Sequence, residues 1–201
     1  AFSPDGKLVA GGGEDRTLRV WEPAPGSKGE ARALLPGHTA SIRALAFAPD
    51  GHSIATASQD ATVRLWSISR IRSWERANLP HDGEVESLAY SPDGKTLATA
   101  CRGGGVRLWD VTGVKPTVRA ELGDSSKGVR LVLITPEGVL VGAGEGNRVV
   151  NWDLRTGKPL REWELPVKPG PGIALTADGR YLGTGSAEGT VDVYRVAEKR
   201  V

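Results

Sequence analysis

The chain has 201 residues, 39% hydrophobic and 25% charged, a balance that suits a globular domain large enough to bury a core. Lys and Arg number 26 against 24 Asp and Glu, and a net charge of +2 excludes the electrostatic footprint of a nucleic-acid or anionic-membrane binder. A single cysteine, Cys101, excludes an intrachain disulfide and a cysteine-built zinc site, and the apolar runs fall well short of the ~20 residues of a membrane-spanning helix.

The first element is a turn, SPDG at 3–6. Pro4 pre-sets φ at one central position, Asp5 suits the next, and Gly6 takes the left-handed conformation that closes a bulged hairpin. Strand-like alternation follows as far as Trp21. The turn then returns as APDG at 48–51, SPDG at 91–94, TPEG at 135–138 and TADG at 176–179, with its glycines 45, 43, 44 and 41 residues apart. An aromatic residue follows each turn, at Trp21, Trp66, Trp109, Trp152 and Tyr194, in steps of 45, 43, 43 and 42. Two independent markers therefore keep one period.

Within the second period, SIRALAFAPDG, HSIATASQD, ATVRLWSI and SWERANLP are short strand-like segments bounded by turn residues, which predicts four strands per unit. The glycine-rich stretches starting at Gly11 and Gly142 lie between two strands, not between a strand and a helix, so neither reads as a dinucleotide loop. DGKT at 93–96 lacks the glycine that a phosphate-binding loop needs five residues before Gly94.

A repeat of this length, with four strands and a Trp ending the third, resembles the WD-repeat β-propeller family along the whole chain. PGHTASIRALAFAPDGHSIATASQDATVRLW at 36–66 carries nearly every marker, and LWD at 108–110 and NWD at 151–153 supply the dipeptide of the name. The resemblance implies an all-β fold, a β-propeller of four-stranded antiparallel blades with four to five blades present in an open or incomplete ring. One domain would span 1–201, in repeats at roughly 1–45, 46–88, 89–132, 133–173 and 174–201, the first and last incomplete. Ala1 and Phe2 correspond to Ala46 and Phe47, and the chain stops just past a third strand, so the expectation is a fragment of a longer propeller. A five-bladed ring closed by imperfect pairing is the alternative. Open blade edges would favour self-association.

The resemblance also gives a structural role to four residues, His38, Thr56, Asp60 and Trp66. Across a blade the carboxylate orients the imidazole, the imidazole meets the hydroxyl, and the hydroxyl accepts the indole N–H that burial would otherwise orphan. The same residue types suggest a hydrolase triad. A nucleophile must stand exposed beside a cleft, however, whereas Thr56 is expected inside a packed sheet with Trp66 consuming its hydroxyl. Other repeats carry partial sets. His81, Thr99 and Trp109 stand in the third, with Gly103 in place of Asp. Asp15 and Trp21 stand in the first, with Gly11 in place of the hydroxyl. In the fourth, Ser125 falls where His would be; the fifth has Thr184, Glu188 and Tyr194, with Pro166 near the His position.

By the same resemblance the chain is a non-catalytic scaffold for protein or peptide partners, and no nucleic acid, membrane, cofactor or metal is expected. Its partner-binding rim would comprise Ser41, Arg43 and Gln59, then Glu84, Glu86 and Arg102, and more loosely Arg130 and Glu145. Mixed signs there suit a polar protein surface. A regulatory module of a larger enzyme such as a kinase is the alternative, and a propeller enzyme with a central-channel site is disfavoured by inner strands without convergent acids, His or metal ligands. Arg19, Arg64 and Arg107, each two residues before a Trp, read as strand residues whose stems cover packing surface. Trp74 and Trp163, on the outer strands, read as edge packing, with exposed anchors for a partner as the alternative.

Overall fold

The computed structural model describes residues 1–23, 29–68, 73–103, 105–123, 128–144, 148–165, 169–176, 180–186 and 189–195. These residues form antiparallel sheets and no helix. The first sheet contains β1 (Val9–Gly11), β2 (Thr17–Trp21) and β3 (Ala33–Pro36). The second contains β4 (Ile42–Phe47), β5 (Ser53–Ser58), β6 (Thr62–Ile68) and β7 (Ser73–Pro80). The third runs β8 (Val85–Tyr90), β9 (Thr96–Cys101), β10 (Val106–Asp110) and β11 (Thr117–Leu122). The fourth is β12 (Val129–Ile134), β13 (Val139–Gly144), β14 (Arg148–Asp153) and β15 (Pro159–Glu164). The fifth is β16 (Pro169–Leu175), β17 (Tyr181–Ser186) and β18 (Val191–Arg195).

Each sheet is a simple meander in sequence order, as short strands joined by tight turns dictate. The all-β architecture of four-stranded antiparallel blades is the one the repeat predicts, and among the described residues the sheets stand as an open row without ring closure. The first sheet has only a stub of an innermost strand: Phe2 bridges Val9, and the Ala10 N–H donates to the Ala1 carbonyl at 2.8 Å.

The recurring turn has one member more than its Pro, Asp and Gly. Ser3 Oγ donates to Asp5 Oδ1 at 2.7 Å and accepts the Leu8 N–H at 2.8 Å. Ser91 repeats this with Asp93 at 2.6 Å and the Thr96 N–H at 2.9 Å. The side chain thus pairs a backbone donor across the hairpin while holding the aspartate that receives the next turn amide. Gly6, Gly51, Gly94 and Gly138 all sit at φ between +69° and +77°, the region where glycine carries no steric penalty. Residues 177–179 of the TADG turn lie outside the described residues.

Ala61 breaks this rule. It follows Asp60 with φ at +61°, a left-handed conformation that strains any side chain with a Cβ. Ala61→Gly is expected to raise stability by about 0.5 to 1 kcal/mol, read as a higher urea midpoint. A lowered midpoint would mean that the alanine methyl makes a contact worth more than the strain.

The core lies between sheets, not within them. Ala10, Leu18, Val20 and Leu35 of the first sheet pack on Ile42, Phe47, Ile54 and Trp66 of the second. Ala55, Ala57, Val63 and Leu65 then meet Val85, Leu88, Leu97 and Trp109 of the third. Ala98, Val106 and Leu108 meet Val129, Leu140 and Trp152 of the fourth, and Val141, Ala143 and Val149 meet Leu182 and Tyr194 of the fifth. A blade is therefore apolar on both faces, which is why its strands read as nearly continuous apolar runs in β5, β9 and β13.

Arginines tie neighbouring blades together at the outer strands. Arg76 on β7 donates to the Val111 and Gly113 carbonyls of the third sheet at 2.8 and 2.5 Å. Arg119 on β11 donates to the Arg155 carbonyl of the fourth at 2.7 Å and to Thr96 Oγ1 at 3.2 Å.

Candidate functional site

In the second sheet a polar chain crosses the blade. Trp66 sits on β6 and Thr56 on β5, and the indole Nε1–H donates to Thr56 Oγ1 at 2.8 Å. Thr56 Oγ1 lies 2.7 Å from His38 Nε2, and His38 Nδ1 lies 2.8 Å from Asp60 Oδ2. The carboxylate can only accept, so His38 carries its proton on Nδ1 and its Nε2 accepts the threonine hydroxyl hydrogen. Asp60 also takes the Thr39 N–H at 2.8 Å, the Thr62 N–H at 3.0 Å and the Thr62 hydroxyl at 2.6 Å. Every polar atom of the chain is thereby satisfied, although His38 is 6% exposed and Thr56 fully buried.

The third sheet repeats three members. Trp109 Nε1–H donates to Thr99 Oγ1 at 3.1 Å, and Thr99 Oγ1 lies 2.8 Å from His81 Nε2. Gly103 offers no carboxylate, and the Leu79 backbone carbonyl accepts the His81 Nδ1–H at 3.0 Å instead. The histidine tautomer is the same, while the acceptor is neutral.

The first and fourth sheets anchor their Trp differently. Gly11 and Gly142 stand at the threonine position, ten residues before Trp21 and Trp152. A Cβ on Gly11 would lie 3.1 Å from the Trp21 ring, and one on Gly142 only 2.6 Å from Trp152. The indole itself fills the space that the threonine side chain takes in the other sheets, so these glycines make room for a ring instead of marking a lost hydrogen bond. Beside Trp152 is a cleft of about 290 Å³ lined by Gly123, Gly142, Arg148 and Glu162. Asp15 of the first sheet pairs with Arg19 and is exposed. Thr184 is buried in the fifth sheet, and Tyr194 is half-buried. Ser125, Pro166 and Glu188 lie outside the described residues.

The rim residues gather at the start of the inner strands. Register shifts fall between Ile42 and Ala44, between Val85 and Ser87, and between Val129 and Leu131. Arg43, Glu86 and Arg130 are the extra residues at these three bulges, and a bulge turns a side chain out of the regular alternation. Arg130 reaches back to the preceding sheet and holds both Glu86 oxygens, at 2.5 and 2.7 Å. Glu84 pairs with Arg102 at 3.5 Å, and its carbonyl accepts the Arg102 N–H at 2.8 Å. Ser41 and Gln59 are half-buried and joined through their backbones at 3.0 Å, whereas Arg43 is exposed. Glu145 lies outside the described residues. The set thus forms a row on three neighbouring sheets, with Glu86 and Arg130 bridging two of them.

Comparison with protein families finds the model for the WD domain, G-beta repeat, matching at residues 1–22, 29–67 and 74–110. The chain belongs to the WD-repeat family. Comparison with curated proteins finds no match. WD repeats generally mediate protein–protein interaction and are typically non-catalytic.

Electrostatics in these WD repeats follow from burial. Burial pulls the His38 pKa down despite the upward pull of Asp60, and it pulls His81 down to about 4 against the weaker upward pull of the Leu79 carbonyl. Burial alone would raise Asp60, but donation by Thr62, the Thr39 N–H and His38 outweighs it and holds the carboxyl at about 2. At neutral pH the second WD repeat therefore pairs a neutral imidazole with a carboxylate. Among the described residues no three His, Cys, Asp or Glu side chains gather as a metal site.

Two features of the WD repeats escape a reading for motifs. The arginines two before Trp have ionic partners as well as buried stems: Arg64 pairs with Glu75, and Arg107 pairs with Asp82 and with Glu121 at 2.7 Å. The blade-tying Arg76 and Arg119 belong to a series at the repeat spacing, since Arg32, Arg76, Arg119 and Arg161 are 44, 43 and 42 residues apart, although Arg32 pairs with Glu22 of its own sheet. That period was a legible signal. Arg161 lies over the half-buried Trp163, 5.3 Å from the ring centroid. The Trp74 side chain lies outside the described residues.

Proposed function

We infer that this chain is a non-catalytic docking module that receives a polar segment of a protein partner on the rim formed by Arg43, Glu84, Glu86, Arg102 and Arg130. The observation that carries the reading is the triple bulge. Three successive inner strands each turn one charged residue out of the ladder, in the order positive, negative, positive. Rigid strands hold these charges without the entropy cost of ordering a loop, and complementary charge selects partners more than it adds raw affinity. Arg43, Arg102 and Arg130 are all exposed, but Arg102 and Arg130 are paired with Glu84 and Glu86 whereas Arg43 has no ion pair among the described residues, which makes it the natural contact for a carboxylate.

The test is capture from a cell lysate followed by mass spectrometry. Reversing Arg43 and Glu84 together is expected to cut partner recovery at least about tenfold, in line with a lost central contact. Asp50→Asn and Asp93→Asn, on the hairpin turns, are expected to leave recovery unchanged at matched melting temperature. Equal recovery by the rim variant and the intact chain would move the binding surface elsewhere.

A further inference from the structure

In the second and third sheets the Trp is packed against a ring from the chain itself. The His81 and Trp109 ring centroids are 5.4 Å apart, and Thr99 stands on the neighbouring strand. Pro80 precedes that histidine, and its carbonyl holds Arg107 at 3.2 Å. Trp66 has the same company. Its ring centroid lies 6.4 Å from that of His38, and a Cβ on Gly37 would lie 2.9 Å from the indole and 3.0 Å from the Arg64 guanidinium.

The fourth sheet has a small residue at three of the equivalent positions. Gly142 pairs with Val150 as Thr99 pairs with Arg107 and Thr56 with Arg64, so glycine replaces threonine and valine replaces arginine. Gly123 follows the buried Leu122 as Pro80 follows Leu79 and Pro36 follows Leu35. Its φ of +86° is one that a proline ring does not allow. Between the third and fourth sheets this leaves the cleft of about 290 Å³, walled by Leu122, Val129, Val150 and the Trp152 indole. The charged residues of its lining are paired, Arg148 with Glu162 and Glu121 with Arg107 at 2.7 Å, so a charged guest finds no free counter-charge among them.

We propose that this cleft is a binding site for an uncharged aromatic side chain of the protein partner, and in naming that partner the proposal rests on the rim reading. The two preceding sheets supply the template, since each sets one ring against its Trp, and burial keeps both imidazoles neutral at neutral pH. Aromatic groups that fill a pocket carry a large share of binding energy, and ring pairs gain beyond the area they bury. Val129 of the cleft adjoins Arg130 of the rim in the chain, so the two sites are neighbours.

Titration of the isotope-labelled chain with phenol, followed by NMR, tests the site without the partner. Shifts are expected at the Trp152 indole N–H and at the Gly123, Gly142 and Val150 amides, saturating with a Kd on the order of 1 mM, as suits one small ring. Cyclohexanol, of similar size but not aromatic, is expected to bind at least about threefold more weakly. Butylammonium and acetate are expected not to bind. Val150→Arg, which restores the residue type of Arg64 and Arg107, is expected to weaken phenol binding at least about tenfold. Val150→Phe is a second variant of the same wall should Val150→Arg melt early. Reversing Arg43 and Glu84 is expected to leave phenol binding unchanged, so failure of the rim reading and failure of the cleft are read separately. Absence of saturable shifts at these groups overturns the proposal. So does equal binding of cyclohexanol or butylammonium, and so does phenol binding that neither Val150 variant weakens.

Discussion

Replacing Asp60 with alanine is expected to destabilise the fold by about 3 kcal/mol, the largest effect of any single polar substitution in the chain. The carboxylate takes four donors, from His38, the Thr39 amide and both donors of Thr62, and its side chain is only 6% exposed. Removal takes the charged acceptor from the His38 Nδ1–H in a buried site, leaving only the Thr62 hydroxyl at 3.4 Å, and frees the 38–39 backbone from the turn that carries Thr62. Hydrogen bonds to a charged group are stronger than neutral ones, and an orphaned buried donor carries its full desolvation penalty. Asp15→Ala, at the equivalent but exposed position of the first sheet, is the control and is expected to cost less than about 1 kcal/mol. Equal urea midpoints for the two variants would contradict the account of the polar chain.

Stability is also expected to fall with acid before any carboxylate titrates. His81 has a folded pKa of about 4, against about 6.5 when unfolded, so the unfolded chain binds a proton over a range in which the folded chain does not. A depressed pKa contributes stability that is fully present above the unfolded value and is lost as pH falls through the folded one. The window is therefore about pH 6.5 down to 4, and the loss from His81 is about 3 kcal/mol. His38 shifts in the same direction and adds to it. Asp60, held at about 2, adds a further loss only below about pH 4. Urea melts at closely spaced pH values read the slope, and His81→Gln is expected to flatten most of it. A midpoint constant between pH 7 and 4 would mean that the imidazoles gain their protons without cost.

The fold was legible because its markers are local. A Pro-Asp-Gly turn and a Trp at fixed distance need no tertiary information to be recognised, and five recurrences leave no other period. The second blade's polar chain was legible for the same reason, since all four side chains are named in the sequence. What escaped was either backbone or space. The Leu79 carbonyl that replaces a carboxylate beside His81 belongs to no residue type, because every residue has one. The roles of Gly11 and Gly142 depend on where an indole lies, which their own identity does not record. The bulges that turn Arg43, Glu86 and Arg130 outward arise from strand pairing, so these residues were named for the rim through the family resemblance alone, without the backbone feature that presents them.

Hydrogen–deuterium exchange of the chain, alone and saturated with the protein partner recovered by capture, tests the docking reading most directly. The account predicts added protection at 41–43, 59, 84–86, 102 and 130, with the turns at 3–6, 48–51 and 91–94 unchanged. Protection confined to those turns, or to β18, would contradict it.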